Sequence, residues 1–184
     1  FVGIRANFHP HFEPKVKIEI EITPKMSFGT GHHATTHLVI QMMESLPLKG
    51  ATVYDFGTGT GVLAILAEKL GASSVLAVDN DDWCIDNAGE NIIHNQCQRI
   101  DIQKVETAVQ SKQYDIILAN VNRHIIEANM QFLDQSSTLT STLILSGLLI
   151  EDQKDMEKLA NQYGWQLIQV ENLRGWISML LKKQ

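Results

Sequence analysis

Residues 53–61 decide the fold of this chain, and they read Val53-Tyr54-Asp55-Phe56-Gly57-Thr58-Gly59-Thr60-Gly61. The apolar residues suit a buried strand, and glycines on alternate positions let the backbone bend sharply and approach a ligand. From Val62 onward apolar residues recur at helical spacing, which puts Gly61 close to a helix N-terminus. Exposed amides at such a terminus favour an anionic or polar ligand group. The stretch therefore predicts a strand, a turn and a helix around a bound ligand, and we call residues 57–61 the glycine turn.

Asp79 is the second anchor of the predicted site. It follows the next apolar run, residues 75–78. In a doubly wound parallel sheet the carboxyl ends of neighbouring strands lie at one edge, so Asp79 is expected beside the glycine turn. There its carboxylate can accept hydrogen bonds from two ribose hydroxyls.

Spacing separates three classes of ligand that bind such turns. A P-loop needs Gly-x-x-x-x-Gly-Lys-Ser/Thr, but Val62 stands five positions after Gly57 and no lysine follows it. A dinucleotide fingerprint, Gly-x-Gly-x-x-Gly/Ala, needs a small residue at that same position. The pattern Asp-x-Gly-x-Gly-x-Gly, with an acid after the next strand, resembles instead the S-adenosylmethionine site of class I methyltransferases. A tight turn without a ligand would leave three glycines and two acids unexplained.

Composition narrows the possible partners and setting. A chain of 184 residues is long enough for one full domain. The net charge of −6 argues against a broad nucleic-acid-binding face, which needs clustered Lys and Arg. No apolar run approaches the roughly 18 residues of a membrane span, so no membrane partner is expected. Cys84 and Cys97 cannot build a disulfide framework, and we expect reduced thiols in a cytoplasmic protein.

Strand and helix patterns alternate along most of the chain. The strand-like segments are residues 15–21, 53–56, 74–79, 99–105, 114–119, 142–146, 165–170 and 177–181, and the helical ones are 38–46, 62–70, 80–95, 124–133 and 151–163. This order predicts an α/β fold with an open, mostly parallel sheet and helices on both faces. Seven strands from residue 53 onward would form the sheet, with the last two as an antiparallel edge hairpin. Residues 1–14 lack clean periodicity and are predicted to be a linker or arm, with one domain over residues 15–184.

A second unusual segment lies upstream of the glycine turn. Residues 28–36 read Phe28-Gly29-Thr30-Gly31-His32-His33-Ala34-Thr35-Thr36. Together with the glycine turn, Asp79 and the pair Ala119-Asn120, this segment resembles the methyltransferases of large-subunit ribosomal protein eleven, over about residues 16–182. The resemblance implies a Rossmann-like class I fold and S-adenosylmethionine as methyl donor, with S-adenosylhomocysteine as product. It also implies that the acceptors are amino groups of that ribosomal protein, on lysine side chains or at its N-terminus.

The same resemblance implies particular site residues. The cofactor contacts carried over are Thr36, Gly57, Asp79 and Asn120, with Thr30, Gly59 and Gly61 as secondary contributors. Asn120 is also expected to orient the acceptor amine. Transfer from a sulfonium needs mainly alignment, so no dedicated base is expected.

Two departures from the family pattern and one competing site also bear on the prediction. Ala34 stands where many members have proline, and Val121-Asn122-Arg123 replaces a small, apolar continuation after Asn120, so the acceptor side is where this chain could differ. Histidines at positions 32, 33 and 37 suggest a metal, but no cysteine or acid nearby completes a four-ligand set, and no metal is expected.

Three hypotheses on function remain after the sequence is read. The leading one is a protein N-methyltransferase that acts on the ribosomal protein. The others are a methyltransferase for another protein or a small molecule, and a non-catalytic S-adenosylmethionine-binding module. Members of the family carry an N-terminal domain that captures the ribosomal protein, and residues 1–14 hold no counterpart of it. We therefore expect the chain to be the catalytic portion of a longer protein, and the sequence leaves the oligomeric state open.

Overall fold

The computed structural model describes residues 1–6, 8–23 and 34–184. The strands are β1 (Val2–Ala6), β2 (Ile18–Ile22), β3 (Thr52–Phe56), β4 (Ser74–Asp79), β5 (Ile100–Lys104), β6 (Tyr114–Asn120), β7 (Ser137–Leu149), β8 (Trp165–Leu173) and β9 (Trp176–Lys183). The helices are α1 (Ala34–Glu44), α2 (Val62–Lys69), α3 (Asp82–His94), α4 (Arg123–Gln135) and α5 (Gln153–Gln162), with a 3-10 turn, Ile150–Asp152, before α5.

A seven-stranded sheet forms the centre of the molecule, in the order β5-β4-β3-β6-β7-β9-β8. The strands from β5 to β7 are parallel, and β9 is antiparallel to both β7 and β8. This arrangement confirms the predicted fold, including the edge hairpin. The chain continues from β3 to one side and later returns to its other side as β6. Such a switch point leaves a crevice at the carboxyl ends of the two strands, where ligands bind in α/β sheets.

Side chains alternate along each central strand and fill two hydrophobic cores, one on each face of the sheet. On β3, Val53 belongs to the core beneath α1 and α2, whereas Tyr54 and Phe56 belong to the core beneath α4 and α5. Both faces of β3 and β6 are therefore buried, as in other parallel sheets. The prediction of helices on both faces is confirmed.

A small parallel sheet of β1 and β2 packs against the core beneath α1 and α2. Ile20 and Ile22 of β2 are buried in that core. On the outer side Arg5 Nε donates to Glu19 Oε1 at 2.6 Å, and Arg5 Nη2 donates to Glu21 Oε2 at 2.7 Å. The hydrogen bond from Arg5 is the main cause that lowers the pKa of Glu19 to about 2. Charge and apolar packing together hold β1 onto β2.

The sequence predicts a linker or arm without any strand for residues 1–14. In the structure Val2–Ala6 form strand β1. Gly3 interrupts the apolar pattern because its place is crowded, since a Cβ on Gly3 would lie 2.5 Å from the ring of Phe12. The partner strand β2, which pairs Val2 with Ile18, supplies what the local pattern lacks. The division of the chain at residues 14 and 15 stays a prediction.

The last three predicted strands are longer in the structure, and β7 is extended most. Strand β7 begins at Ser137 and not at residue 142, because Ser141 Oγ donates to the Tyr114 carbonyl at 2.6 Å and holds the polar segment against β6. Over the described ranges, none of the helices is long and apolar enough to span a bilayer.

Candidate functional site

The glycine turn folds tightly against the end of β4. Gly57, Gly59 and Gly61 have φ angles of 75°, 56° and 79°, in the left-handed region that favours glycine. The amides of Gly57 and Thr58 both donate to the Val78 carbonyl at 2.9 Å, and the Gly61 amide donates to the Thr58 carbonyl at 2.9 Å. The turn therefore joins the carboxyl end of β3 to the N-terminus of α2 at the crevice.

Packing within the protein requires two of these glycines. A Cβ on Gly57 would lie 2.2 Å from Val121 Cγ1, and one on Gly61 would lie 3.1 Å from Ala88 Cβ. A Cβ at position 57 would force Val121 to move and one at position 61 would press on Ala88, while the positive φ at both positions strains any other residue. The glycines at positions 57 and 61 are needed whatever the turn binds.

Asp79 lies beside the glycine turn, as the sequence predicts. Its Oδ2 accepts a hydrogen bond from the Gly59 amide at 2.9 Å, and its Oδ1 accepts one from the Asp81 amide at 3.1 Å. An ionised carboxylate offers about four acceptor positions. The partly exposed Asp79 therefore keeps acceptor capacity for the hydroxyl groups of a ligand.

Asp55 supports the turn from within the core. Its side chain is 1% exposed, and its Oδ2 accepts a hydrogen bond from Thr58 Oγ1 at 2.6 Å. Burial raises the pKa of Asp55 to about 7, and the charge of Asp79 adds to this increase, while the Thr58 hydroxyl and the Ala64 amide oppose it. Its Oδ1 makes no hydrogen bond of good geometry to the described residues. Asp55 therefore shapes the turn through Thr58.

At the carboxyl end of β6, the strand beside β3, Asn120 and Thr36 lie within hydrogen-bond distance. Asn120 ends β6, and its Nδ2 donates to Thr36 Oγ1 at 3.3 Å, although the two residues are 84 positions apart. Thr36 is 1% exposed in the first turn of α1. The structure thus joins a predicted residue of the segment 28–36 to the predicted residue at the end of β6. Thr30, the remaining predicted contact, lies outside the described residues.

Val121 lies between the glycine turn and β7. Besides its side-chain contact with Gly57, its carbonyl oxygen would lie 2.3 Å from a Cβ on Gly147, whose φ is 84°. The backbone that follows Asn120 is therefore closely packed on two sides.

Arg123 fixes the next part of this segment through three carboxylates. Its guanidinium donates to Glu127 Oε1 at 2.7 Å, to Asp152 Oδ1 at 2.8 Å and to Asp155 Oδ2 at 3.0 Å. These hydrogen bonds raise the pKa of Arg123. The residues that depart from the family pattern thus tie the segment after Asn120 to the 3-10 turn and α5.

The sequence reasoning misses three residues of this site. Thr58 holds Asp55, Gly147 admits Val121, and Asn91 of α3 donates to the Thr60 carbonyl of the glycine turn at 2.9 Å. One available signal is the spacing of asparagines at 87, 91 and 95, which lie on one helical face.

Of the three histidines that suggest a metal in the sequence, the structure describes His37 alone. His37 is exposed on α1, and the histidines at 32 and 33 lie outside the described residues. Among the residues that the structure describes, no three His, Cys, Asp or Glu side chains gather in a group that could hold a metal ion.

The arrangement can bind a polar ligand with neighbouring hydroxyl groups. It places a carboxylate acceptor, a turn that allows close backbone approach and the N-terminus of α2 at one crevice. The Thr36–Asn120 pair adds a hydroxyl and an amide at the end of the neighbouring strand β6. This set of groups fits a nucleoside with an attached polar chain.

Comparison with known proteins places these features in one family. The family model described as ribosomal protein L11 methyltransferase matches residues 2–184. The ribosomal protein L11 methyltransferase of Porphyromonas gingivalis is 40% identical over 178 residues, which cover 96% of this chain and 61% of that protein. The protein of the same name from Phocaeicola vulgatus is 35% identical over 183 residues, 97% of this chain and 65% of that protein. The chain therefore spans less than two thirds of the length of these relatives.

A solved structure is similar over the whole chain. The crystal structure of the ribosomal protein L11 methylase from Lactobacillus delbrueckii subsp. bulgaricus superposes with a TM-score of 0.88 at 30% identity. The match covers 100% of this chain and 95% of that one.

Proposed function

This chain belongs to the ribosomal protein L11 methyltransferase family, and we propose that it binds S-adenosylmethionine and transfers the methyl group to amino groups of ribosomal protein L11. The family predicted from the motif over residues 28–36 and the glycine turn is thereby confirmed. Activity and acceptor are our proposal, because the chain spans 61% and 65% of the relatives compared above.

One observation carries the proposal. The glycine turn, held to Asp79 by the Gly59 amide, follows β3, and the Asn120–Thr36 pair lies at the end of the neighbouring parallel strand β6. The two groups come from the carboxyl ends of β3, β4 and β6 and from the start of α1. Both groups contain residues that the family resemblance assigns to the cofactor.

The bound cofactor would supply a methyl group that is already activated by the positive charge on sulfur. We assign Asp79 to its ribose hydroxyls, the glycine turn to close backbone contact, and Thr36 with Asn120 to its remaining polar groups. Asn120 would also orient the incoming amine, through its side-chain oxygen or a nearby carbonyl. Alignment of a neutral amine in a site shielded from water is then the main contribution of the protein.

The proposed function is tested with radiolabelled S-adenosylmethionine and purified ribosomal protein L11. The labelled methyl group should appear in L11 after incubation with this chain, with the Porphyromonas gingivalis relative as the positive control. Label with the relative and none with this chain would contradict the proposed function.

Asn120 can be tested separately from the acceptor. Replacement of Asn120 by alanine should weaken S-adenosylmethionine binding at least tenfold in calorimetry and slow methyl transfer, because the contact with the cofactor assigned to its amide is lost together with its hydrogen bond to Thr36. Asn122→Ala is the matched control, since Asn122 begins α4 without a side-chain capping hydrogen bond. Wild-type affinity and transfer in the Asn120 variant would contradict the assignment.

We further propose that residues 15–184 form the methyltransferase domain and that the protein acts in the cytoplasm. Cys84 and Cys97 are thiols in the structure, as a reducing compartment requires. A ribosomal substrate would also be met there.

A further inference from the structure

Three asparagines, two on α3 and one at its C-cap, close the outer edge of β2. Asn95 binds both backbone groups of Glu21, with Oδ1 accepting from the amide at 3.0 Å and Nδ2 donating to the carbonyl at 2.6 Å. Asn91 Oδ1 accepts from the Thr23 amide at 2.9 Å, and Asn87 Nδ2 donates to the Thr23 carbonyl at 3.2 Å. These are the backbone groups that a further strand would pair with. The helix thus substitutes for a strand at this edge.

Asn91 differs from Asn95 because it also reaches the glycine turn. The Asn91 Nδ2 donates to the Thr60 carbonyl at 2.9 Å, and Asn91 and Thr60 are each 0% exposed. One turn away on the same helix, Ala88 packs closely against Gly61. The peptide between Thr60 and Gly61 is therefore held by α3 at two points.

We propose that Asn91 is a positioning residue for the cofactor. Its side chain holds the glycine turn in a fixed position relative to the end of β2. One amide side chain thereby joins the glycine turn to the residue that follows β2. This inference rests on the proposed function, because the ligand of the turn is taken to be S-adenosylmethionine. A buried carbonyl that loses its donor must turn or admit water. The backbone amides that follow it would then leave their binding geometry.

The test compares two alanine variants of the same residue type on the same helix face. Asn91→Ala removes the contacts with Thr60 and Thr23, whereas Asn95→Ala removes only contacts with Glu21 and with the helix backbone. Both variants should lower the melting temperature. At a temperature where circular dichroism shows both folded, calorimetry with S-adenosylhomocysteine should give at least tenfold weaker binding for Asn91→Ala. Affinity of Asn95→Ala should stay within threefold of wild type.

A ratio below fivefold between the dissociation constants of the two variants would overturn the inference, and a larger ratio with the weaker binding in Asn91→Ala would support it. Should Asn91→Ala fail to fold, wild-type protein serves instead. Its Asn91 side-chain NH2 resonances should shift in NMR spectra on addition of S-adenosylhomocysteine, and those of Asn95 should not. Equal shifts at both residues, or none at either with binding present, would overturn the inference. Absence of any binding by wild type would overturn the proposed function together with it.

Discussion

Val121 contacts two glycines in different ways, with its side chain at Gly57 and with its backbone at Gly147. The nearest atom to a Cβ on Gly57 would be Val121 Cγ1 at 2.2 Å, and the nearest to a Cβ on Gly147 would be the Val121 carbonyl oxygen at 2.3 Å. Only the first clash can be relieved by a smaller side chain at position 121. The two glycines are therefore experimentally separable.

Gly57→Ala should destabilise the protein by roughly 3 kcal/mol, from the clash and from a positive φ that costs alanine about 1–2 kcal/mol. In a double-mutant cycle, Val121→Ala should recover about 1–2 kcal/mol of the clash, because Cγ1 is gone. Gly147→Ala is the control, and its loss should not be recovered by Val121→Ala. Urea unfolding of the five variants and wild type measures these energies. Equal coupling at both glycines would show that the backbone near Val121 shifts and that the contact at Gly57 is not steric.

The buried Asp55 makes stability depend on pH. Its pKa is about 7 in the folded protein against 3.8 for the free group, so between pH 4 and 7 the unfolded chain has released a proton that the folded chain keeps. The unfolded state then binds fewer protons, and this contribution to the free energy of unfolding falls as pH rises through that window and is constant above it. Asp55→Asn should remove the fall, so that its stability relative to wild type increases from pH 5 to 7 in urea titrations.

Thr58→Val is the informative companion to this variant. The Thr58 hydroxyl lowers the pKa of Asp55, so its loss should raise that pKa and carry the decline of stability above pH 7. A slope between pH 4 and 7 that Asp55→Asn leaves unchanged would assign the pH dependence to other groups.

At the scale of elements, the strands beside the site are predictable from local pattern and several other features are not. Strands β3, β4 and β6 are apolar runs buried on both faces, and their predicted and observed ends agree closely. Strand β1 and the start of β7 depend on distant partners, Glu19 for Arg5 and Tyr114 for Ser141, which periodicity does not detect. The face of α3 with Asn91 looks polar in sequence, yet Asn91 is buried because its amide bonds backbone groups.

Arg123 at the start of α4 holds that helix against the start of α5, and the contribution of its ion pairs to stability can be measured. Arg123→Met should lower the free energy of unfolding measurably, since it leaves three carboxylates without their shared cation. The loss should be smaller in 0.5 M salt, because the remaining carboxylate repulsion is screened. Urea unfolding at both salt concentrations provides the measurement.

Lys104→Met is the control for Arg123→Met, because it breaks a single ion pair with Asp82 whose side chains are 45% and 76% exposed. It should change the free energy of unfolding less than Arg123→Met does, because a single exposed ion pair contributes little. If both substitutions cost the same, the three contacts of Arg123 would have no more effect than one exposed pair.

At the scale of the whole molecule, the two cores share the central strands and cannot separate. Neighbouring residues of β3, Val53 and Tyr54, belong to opposite cores. Loss of either core would expose one face of strands whose other face is part of the second core. The described domain should therefore unfold in one cooperative transition, and a ligand at the crevice should shift that whole transition.

S-adenosylhomocysteine provides this ligand test. At 100 times its dissociation constant it should stabilise the folded state by about 2.7 kcal/mol, which for a chain of this size raises the melting temperature by roughly 5–10 °C. Differential scanning calorimetry should show one peak that moves as a unit, while an equal excess of NAD leaves it in place. Two peaks, of which the ligand moves only one, would mean that the cores unfold separately. A larger shift with NAD would mean that the crevice formed by Asp79 and the glycine turn selects a dinucleotide.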